Sequence, residues 1–224
     1  MPCASSQPDP ADAAAPAAVP TPAPVPSLAG LGPDDDKRAW RRAARAARRA
    51  HVAERDRLAD TRRLAERVMD LWGERGQPAC VAAYLSLPTE PPTEAVLRRL
   101  VGAGVAVLLP DMLEDRDLDW RQVTSAPPNG PAELGPRLGT EAIGTAGLIL
   151  VPALAIDADG VRLGQGGGSY DRALGRRGPD ALVAALLHDG ELLPPGRLPS
   201  EPHDALVDAV LTADAGLTAC SPTA

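Results

Sequence analysis

The sequence predicts an α/β domain: a mostly parallel sheet flanked by helices in a Rossmann-like α/β/α layering, preceded by a disordered N-terminal extension. Three observations carry this. Short apolar runs alternate with amphipathic segments from residue 37 onward, the pattern of strands buried on both faces. Hydrophobic residues make up 44% of the 224 residues while aromatics are 2%, with no Phe, so Ala, Leu and Val must fill the core. Four glycines (Gly164, Gly166, Gly167, Gly168) sit between a strand-like stretch and a helix.

Residues 1–36 read as a disordered Ala/Pro-rich extension. Nine prolines in the first 33 residues forbid a regular helix, and bulky apolar surface is too scarce to offset the ordering entropy. Asp34, Asp35 and Asp36 then open a helix, where carboxylates suit the positive end of the dipole. KRAWRRAARAARRA continues it, with Lys37, Arg41, Arg45 and Arg48 spaced as one basic stripe. Arg45, Arg48 and Arg49 read as solvated surface. A second helix is expected over 54–72, with Leu64, Val68, Leu71 and Trp72 on its apolar face. Strands follow at 79–85 and 105–110, separated by an amphipathic helix over 93–103. Residues 111–140 are mixed, with a short strand near Trp120. LILVP at 148–152 is a third strand, Asp159-Gly160 a tight turn, and a helix starts at Tyr170. Strands at 181–187 and 205–212 complete the pattern. A single domain is expected over 37–217, with a flexible tail at 218–224. No internal repeat is evident.

The net charge is −7, but residues 1–36 hold five acids and no base, leaving 25 acids against 23 bases elsewhere. The body therefore lacks the bulk charge of a nucleic-acid binder. Cys3, Cys80 and Cys220 are odd in number and mostly terminal, which argues against a disulfide framework and for a reducing compartment. No apolar run reaches the length of a spanning helix, and neither a secretory signal nor a transit peptide is legible. The expectation is a cytoplasmic protein with no membrane and no nucleic-acid partner.

The stretch 151–174, VPALAIDADGVRLGQGGGSYDRAL, is the most informative. Closely spaced glycines let the backbone approach a ligand and turn several N–H groups toward it, and phosphate is the natural guest. Arg162 stands ready to clamp a phosphate oxygen, and Asp171 to hold Mg²⁺ against it. A flexible linker of similar composition would not run straight from strand to helix. The loop is neither a Walker A motif, since the only Lys is Lys37, nor a dinucleotide fingerprint.

These residues resemble a family. RLGQGGGSYDRAL, preceded by LILVPALAIDADG, looks like the signature of the 5-formyltetrahydrofolate cyclo-ligases, also called 5,10-methenyltetrahydrofolate synthetases. KRAWR at 37–41, YLSLPTEPPTEAVL at 84–97 and LPSEPHDALVDAVLT at 198–212 are similar to further family segments in the same order. The resemblance implies an ATP- and Mg²⁺-dependent closure of 5-formyltetrahydrofolate to 5,10-methenyltetrahydrofolate, with ATP as co-substrate. It implies that Lys37, Arg38, Ala39, Trp40 and Arg41 meet ATP, together with Arg162, Leu163, Gly164, Gln165, Gly166, Gly167, Gly168, Ser169 and Tyr170. Folate would meet Tyr84, Leu85, Glu90, Gly166, Gly167, Gly168 and Tyr170. Lys37, Arg162 and Tyr170 would be catalytic, and Asp171 and Asp204 would hold Mg²⁺; His203 is passed over, since Mg²⁺ seldom selects imidazole. A monomer is expected.

Ser169 and Gln165 depart from the family's usual aromatic and Arg or aromatic residues. Two other readings compete: a folate- or ATP-binding relative without turnover, and RNA binding through the Arg-rich helix 37–49. An acidic flank and the lack of stacking aromatics on that helix stand against the second.

Overall fold

The structure, a computed structural model, describes residues 28, 30–127 and 130–221. The disorder expected for 1–27 and the last residues of the tail lie outside these. Helices α1 (Lys37–Glu54) and α2 (Arg57–Glu74) come first, each opened by an aspartate cap. The Asp36 carboxylate accepts the Arg38 N–H, and Asp56 accepts those of Leu58 and Ala59, satisfying donors that a helix start otherwise strands. Strand β1 (Cys80–Ala82), helix α3 (Glu94–Gly102) and β2 (Ala106–Met112) form a right-sized crossover unit. Strands β3 (Leu118–Ser125) and β4 (Glu133–Arg137) and a 3₁₀ turn at Thr140–Thr145 follow. The chain then makes β5 (Leu148–Pro152), β6 (Ala155–Asp157), β7 (Arg162–Leu163) and helix α4 (Ser169–Leu174). It ends with β8 (Leu182–Leu186), β9 (Leu192–Leu193), β10 (Ala209–Thr212) and β11 (Gly216–Ala219).

The main sheet has the order β11-β10-β8-β5-β1-β2-β3-β4. Its five central strands, from β10 to β2, are parallel, and the outer pairings are antiparallel. The central strands alternate their side chains between two cores, which is why they read as unbroken apolar runs. Val81, Val107, Leu148, Leu150, Leu186 and Leu211 face α2 and α3. Ala82, Leu108, Ile149, Val151, Ala185 and Val210 face α4 and the 3₁₀ turn. A second, three-stranded sheet, β7-β6-β9, packs with α1 around Trp40, Ala44, Leu154, Leu163 and Leu193.

Beyond the layered architecture, which is as expected, several boundaries differ from the sequence reading. The mixed segment 111–140 holds two strands rather than one short one. Leu118 and Trp120 bury one face of β3 and Val123 the other, but the edge strand β4 carries Gly135 and Pro136 and buries almost nothing. Strands β6, β7 and β9 are two or three residues long, too short for any periodicity to show. Ordered chain also begins before Lys37. Leu28 is buried and Leu31 packs beside it in the Trp40 cluster, and the Trp40 indole N–H donates to the Gly32 carbonyl at 2.9 Å. At the other end, the expected flexible tail starts inside β11, which pairs with β10 from Ala209↔Ala219 to Thr212↔Gly216.

Trp40 is fully buried. Replacement by Ala should cost about 3–5 kcal/mol of stability, read as a lower urea midpoint at unchanged slope. A midpoint equal to wild type would remove Trp40 from the core.

Candidate active site

Strand β1 pairs with β2 on one side and β5 on the other. The chain leaves β1 toward β2 and returns much later to β5, so the connections part above the carboxyl ends of these strands. An open parallel sheet holds a crevice at such a switch point. Here it is a cavity of about 560 Å³, the size of a small-molecule site. Pro110 and Met112 at the end of β2, and Pro152 and Ala153 at the end of β5, line it. Its other walls are the start of α1, Glu90, the segment 162–171, and Glu201, His203 and Asp204.

Helix α1 turns its basic stripe inward, onto the body of the protein. The Lys37 ammonium donates to the Asp204 carboxylate at 2.7 Å and lies 3.5 Å from Glu201. Arg41 donates from Nε to the Gly164 carbonyl at 3.0 Å. Arg45 donates from Nη2 to the Gln165 side-chain oxygen at 2.6 Å. Arg48 forms a buried bidentate pair with Glu191, both contacts 2.7 Å. The expectation of solvated surface is thus corrected for Arg48, whereas Arg45 and Arg49 are exposed. The stripe's i+4 and i+3 spacing keeps these side chains on one face, and that face is covered by the glycine loop and the segments after β5 and β8.

The glycine loop follows β7 directly. Arg162, from β7, donates to Asp171 Oδ1 at 2.8 Å across the loop, and its guanidinium carbon stands 5.5 Å from the Tyr170 ring centre, within cation–π range. Its Nε is buried with no partner among the described residues, a donor that an anion in the cavity would satisfy. Two glycines are required by close approach. A Cβ at Gly164 would meet Arg162 Nη1 at 2.7 Å, and one at Gly166, whose φ is +101°, would come within 3.1 Å of Arg41 Cζ. Helix α4 is only six residues long, so loop N–H groups and cations, rather than a long dipole, give this wall its attraction for anions.

The carboxylates complete the site. Asp171 Oδ1 is taken by Arg162, and Asp204 Oδ2 by Lys37 and the Glu201 N–H at 2.8 Å. Burial works to raise the Asp204 carboxyl, but the Lys37 hydrogen bond and charge outweigh it and hold the group below the usual carboxylate range. Glu201, His203 and Asp204 can bring one ligand atom each within 4.8 Å of one another. Glu90 is buried, and its Oε2 accepts the Leu87 N–H at 2.9 Å. Burial pushes the Tyr170 phenol far above its ordinary value, as it does Tyr84, so both rings are neutral surfaces.

The structure gathers Lys37, Arg41, Glu90, Asp171, Asp204 and the whole of 162–170 around one cavity. It does not place the other expected contacts there. Trp40 is core, and Arg38 and Ala39 do not line the cavity. Leu85 is 50% exposed and outside the wall. Tyr84 is buried beneath it, with a hydroxyl that has no partner among the described residues. The helical register separates Trp40 from Arg41: adjacent residues stand about 100° apart around a helix, and Trp40 turns to the face toward the small sheet. Sequence reasoning missed the β2–β3 wall (Pro110, Met112, Leu118) and Glu201. Only the LPSEPHD spacing hinted at Glu201, and nothing local marked the β2–β3 wall.

The family pattern of the 5-formyltetrahydrofolate cyclo-ligases matches residues 33–213. The chain belongs to this family. It is a ligase of folate one-carbon metabolism. It is 40% identical over 150 residues to the 5-formyltetrahydrofolate cyclo-ligase of Mycolicibacterium smegmatis, covering 62% of this chain and 76% of that one. It is 29% identical over 152 residues to the cyclo-ligase of Mus musculus, covering 60% and 73%. The fold is that of the 5,10-methenyltetrahydrofolate synthetase of Mycoplasma pneumoniae, with a TM-score of 0.63 at 15% identity over 80% of this chain and all of that one. The synthetase of Aquifex aeolicus superposes with a TM-score of 0.62 at 23% identity, over 84% and 94%. Among the described residues no helix is long and apolar enough to cross a membrane.

Two consequences of the cyclo-ligase cavity are testable. Gly164→Ala should displace the Arg162 guanidinium and weaken the binding of inorganic pyrophosphate, used as an anion probe, about tenfold in calorimetric titration. Unchanged affinity would mean that Arg162 is not poised by this contact. The depressed Asp204 carboxyl stabilises the fold above the ordinary carboxylate value of about 3.9, and that contribution is lost as pH falls through the folded value. Below about pH 4, wild type should therefore lose stability more steeply than Asp204→Asn in urea unfolding. Parallel curves would refute the Lys37–Asp204 contribution.

Proposed function

We propose that this chain converts 5-formyltetrahydrofolate to 5,10-methenyltetrahydrofolate with ATP, releasing ADP and phosphate. The observation that carries this reading is the convergence of Lys37, Arg41 and Arg162 on a glycine loop that faces the buried carboxylate of Glu90 across one cavity. Cations and bare backbone suit a triphosphate, and a buried carboxylate with one oxygen already bonded suits the N–H edge of a pterin.

The formyl oxygen is a poor leaving group, so it must be activated. It attacks the γ-phosphorus of ATP, the bond from that phosphorus to the bridging oxygen breaks, and ADP leaves. The nitrogen at position 10 then attacks the activated formyl carbon, loses its proton, and phosphate departs with the C–O bond electrons. Phosphoryl transfer needs positioning and positive charge more than covalent help. Lys37 and Arg162 supply charge beside the transferring group, and Arg41 supplies it from the loop's outer side. Arg162 is fixed from two sides, by Asp171 and by the Tyr170 face, so little reorganisation is needed as charge moves onto the bridging oxygen. Tyr170 stays protonated and closes the wall between the phosphate and pterin ends.

The hard carboxylate oxygens of Asp171 and Asp204, on the same wall as these cations, fit Mg²⁺ and would hold it. Bound there, Mg²⁺ supplies charge neutralisation to the phosphate oxygens. A cytoplasmic, monomeric enzyme meeting only small molecules agrees with this chemistry. Three of the four cations of the stripe, Lys37, Arg41 and Arg48, are engaged inside the fold, which speaks against RNA binding.

Arg162→Ala should lower catalytic efficiency by about ten- to hundredfold with the fold intact by circular dichroism, followed through methenyltetrahydrofolate absorbance. An unchanged efficiency would contradict its role. Lys37→Ala should raise the KM for ATP more than that for folate, and the reverse would move Lys37 to the folate end.

A further inference from the structure

Behind the cavity lies a buried polar chain that the reaction scheme does not use. It starts at Arg48 on α1, whose guanidinium is paired with Glu191 through Nε to Oε1 and Nη2 to Oε2, both at 2.7 Å. Arg48 Nη2 also donates to the carbonyl of Ala153, a cavity wall residue. Glu191 Oε2 accepts the backbone N–H of His188 at 2.9 Å. The His188 ring nitrogen Nε2 then reaches the Thr89 carbonyl at 3.0 Å, one residue before Glu90. All three side chains are buried. Burial lowers the His188 imidazole below its ordinary value, so the ring is neutral, and a carbonyl partner requires the proton on Nε2.

A buried ion pair adds little stability over apolar residues of the same volume, because desolvation offsets the attraction. What this one does is fix positions: each of its ends stops at a cavity wall, at Ala153 and at the Glu90 loop. Arg57 also ties the loop to α2, donating to the carbonyls of Pro88 and Glu90 from the exposed side. It is 41% exposed and so holds more loosely.

We propose that His188, held by Glu191 and Arg48, is a positioning residue that sets the Glu90 carboxylate for the pterin while leaving the nucleotide end untouched. This rests on the folate reading of the cavity given above. Loss of the Thr89 contact lets the loop drift and weakens folate binding selectively.

The test compares His188→Leu, which cannot reach Thr89 with a donor, with His188→Gln, whose amide N–H can. Calorimetric binding of 5-formyltetrahydrofolate and of ATP is measured separately, alongside the KM for each. His188→Leu should bind folate about tenfold more weakly with ATP affinity within about twofold, and His188→Gln should recover most of the loss. Equal losses for folate and ATP, or Leu and Gln variants that behave alike, would overturn the proposal. Should the Leu variant not fold, His188→Asn, too short to span the gap, takes its place with the same expectations. Wild-type protein that binds no folate would instead overturn the function proposed above, so the two failures are told apart.

Discussion

The position of β1 between β2 and β5 governs this molecule. Parallel strands need crossover connections, and these cover the faces of the sheet rather than its ends. Where consecutive crossovers part in opposite directions, no segment can fill the space above the strand ends. The cavity is that space. Its floor is made by residues such as Pro110, Pro152 and Ala153, which contribute no chemistry and owe their place to strand register. Every chemical group is brought to it from elsewhere: α1, the loop after β1, the loop after β7 and the segment before β10.

Helix α1 acts as the fastening bar of this assembly. Its apolar side, through Trp40 and Ala44, is packed on the small sheet, and its basic side reaches four separate acceptors along the chain: Asp204, Gly164, Gln165 and Glu191. A slip of one residue along the helix would put Trp40 where Arg41 stands, at the cavity, and turn Lys37 out to the exposed place of Arg38. Loss of the buried indole from the core disfavours that arrangement. The register of α1 therefore sets which cations face the glycine loop, and Leu28, Leu31 and Gly32, packed on or bonded to Trp40, fix that register from outside.

The cavity wall is balanced in charge as well as shaped. Lys37 stands against Asp204 and Arg162 against Asp171, the contacts 2.7 Å and 2.8 Å. Each cation thus has a carboxylate that orients it. A guanidinium so held, with a buried Nε still unpartnered, is preorganised for an anion and needs little rearrangement to meet one.

The sequence by itself determined the layered α/β class, because strands buried on both faces must be apolar throughout and helices between them amphipathic. It also marked Arg162, the glycines and Asp171, since bare backbone beside a cation and an acid has few structural uses; Lys37, Arg41, Glu90 and Asp204 were added by the family resemblance. It took Arg48 for solvated surface, and it expected at the cavity Trp40 and Leu85, which do not line it. A motif read along the chain carries every neighbour with it, whereas a helix shows only every third or fourth residue to the same partner, and β1 ends before Leu85. Only the tertiary structure could join residues far apart in sequence: Arg48 to Glu191, His188 to Thr89, and Met112 to the glycine loop. These contacts depend on strand order and crossover direction, which no local spacing encodes.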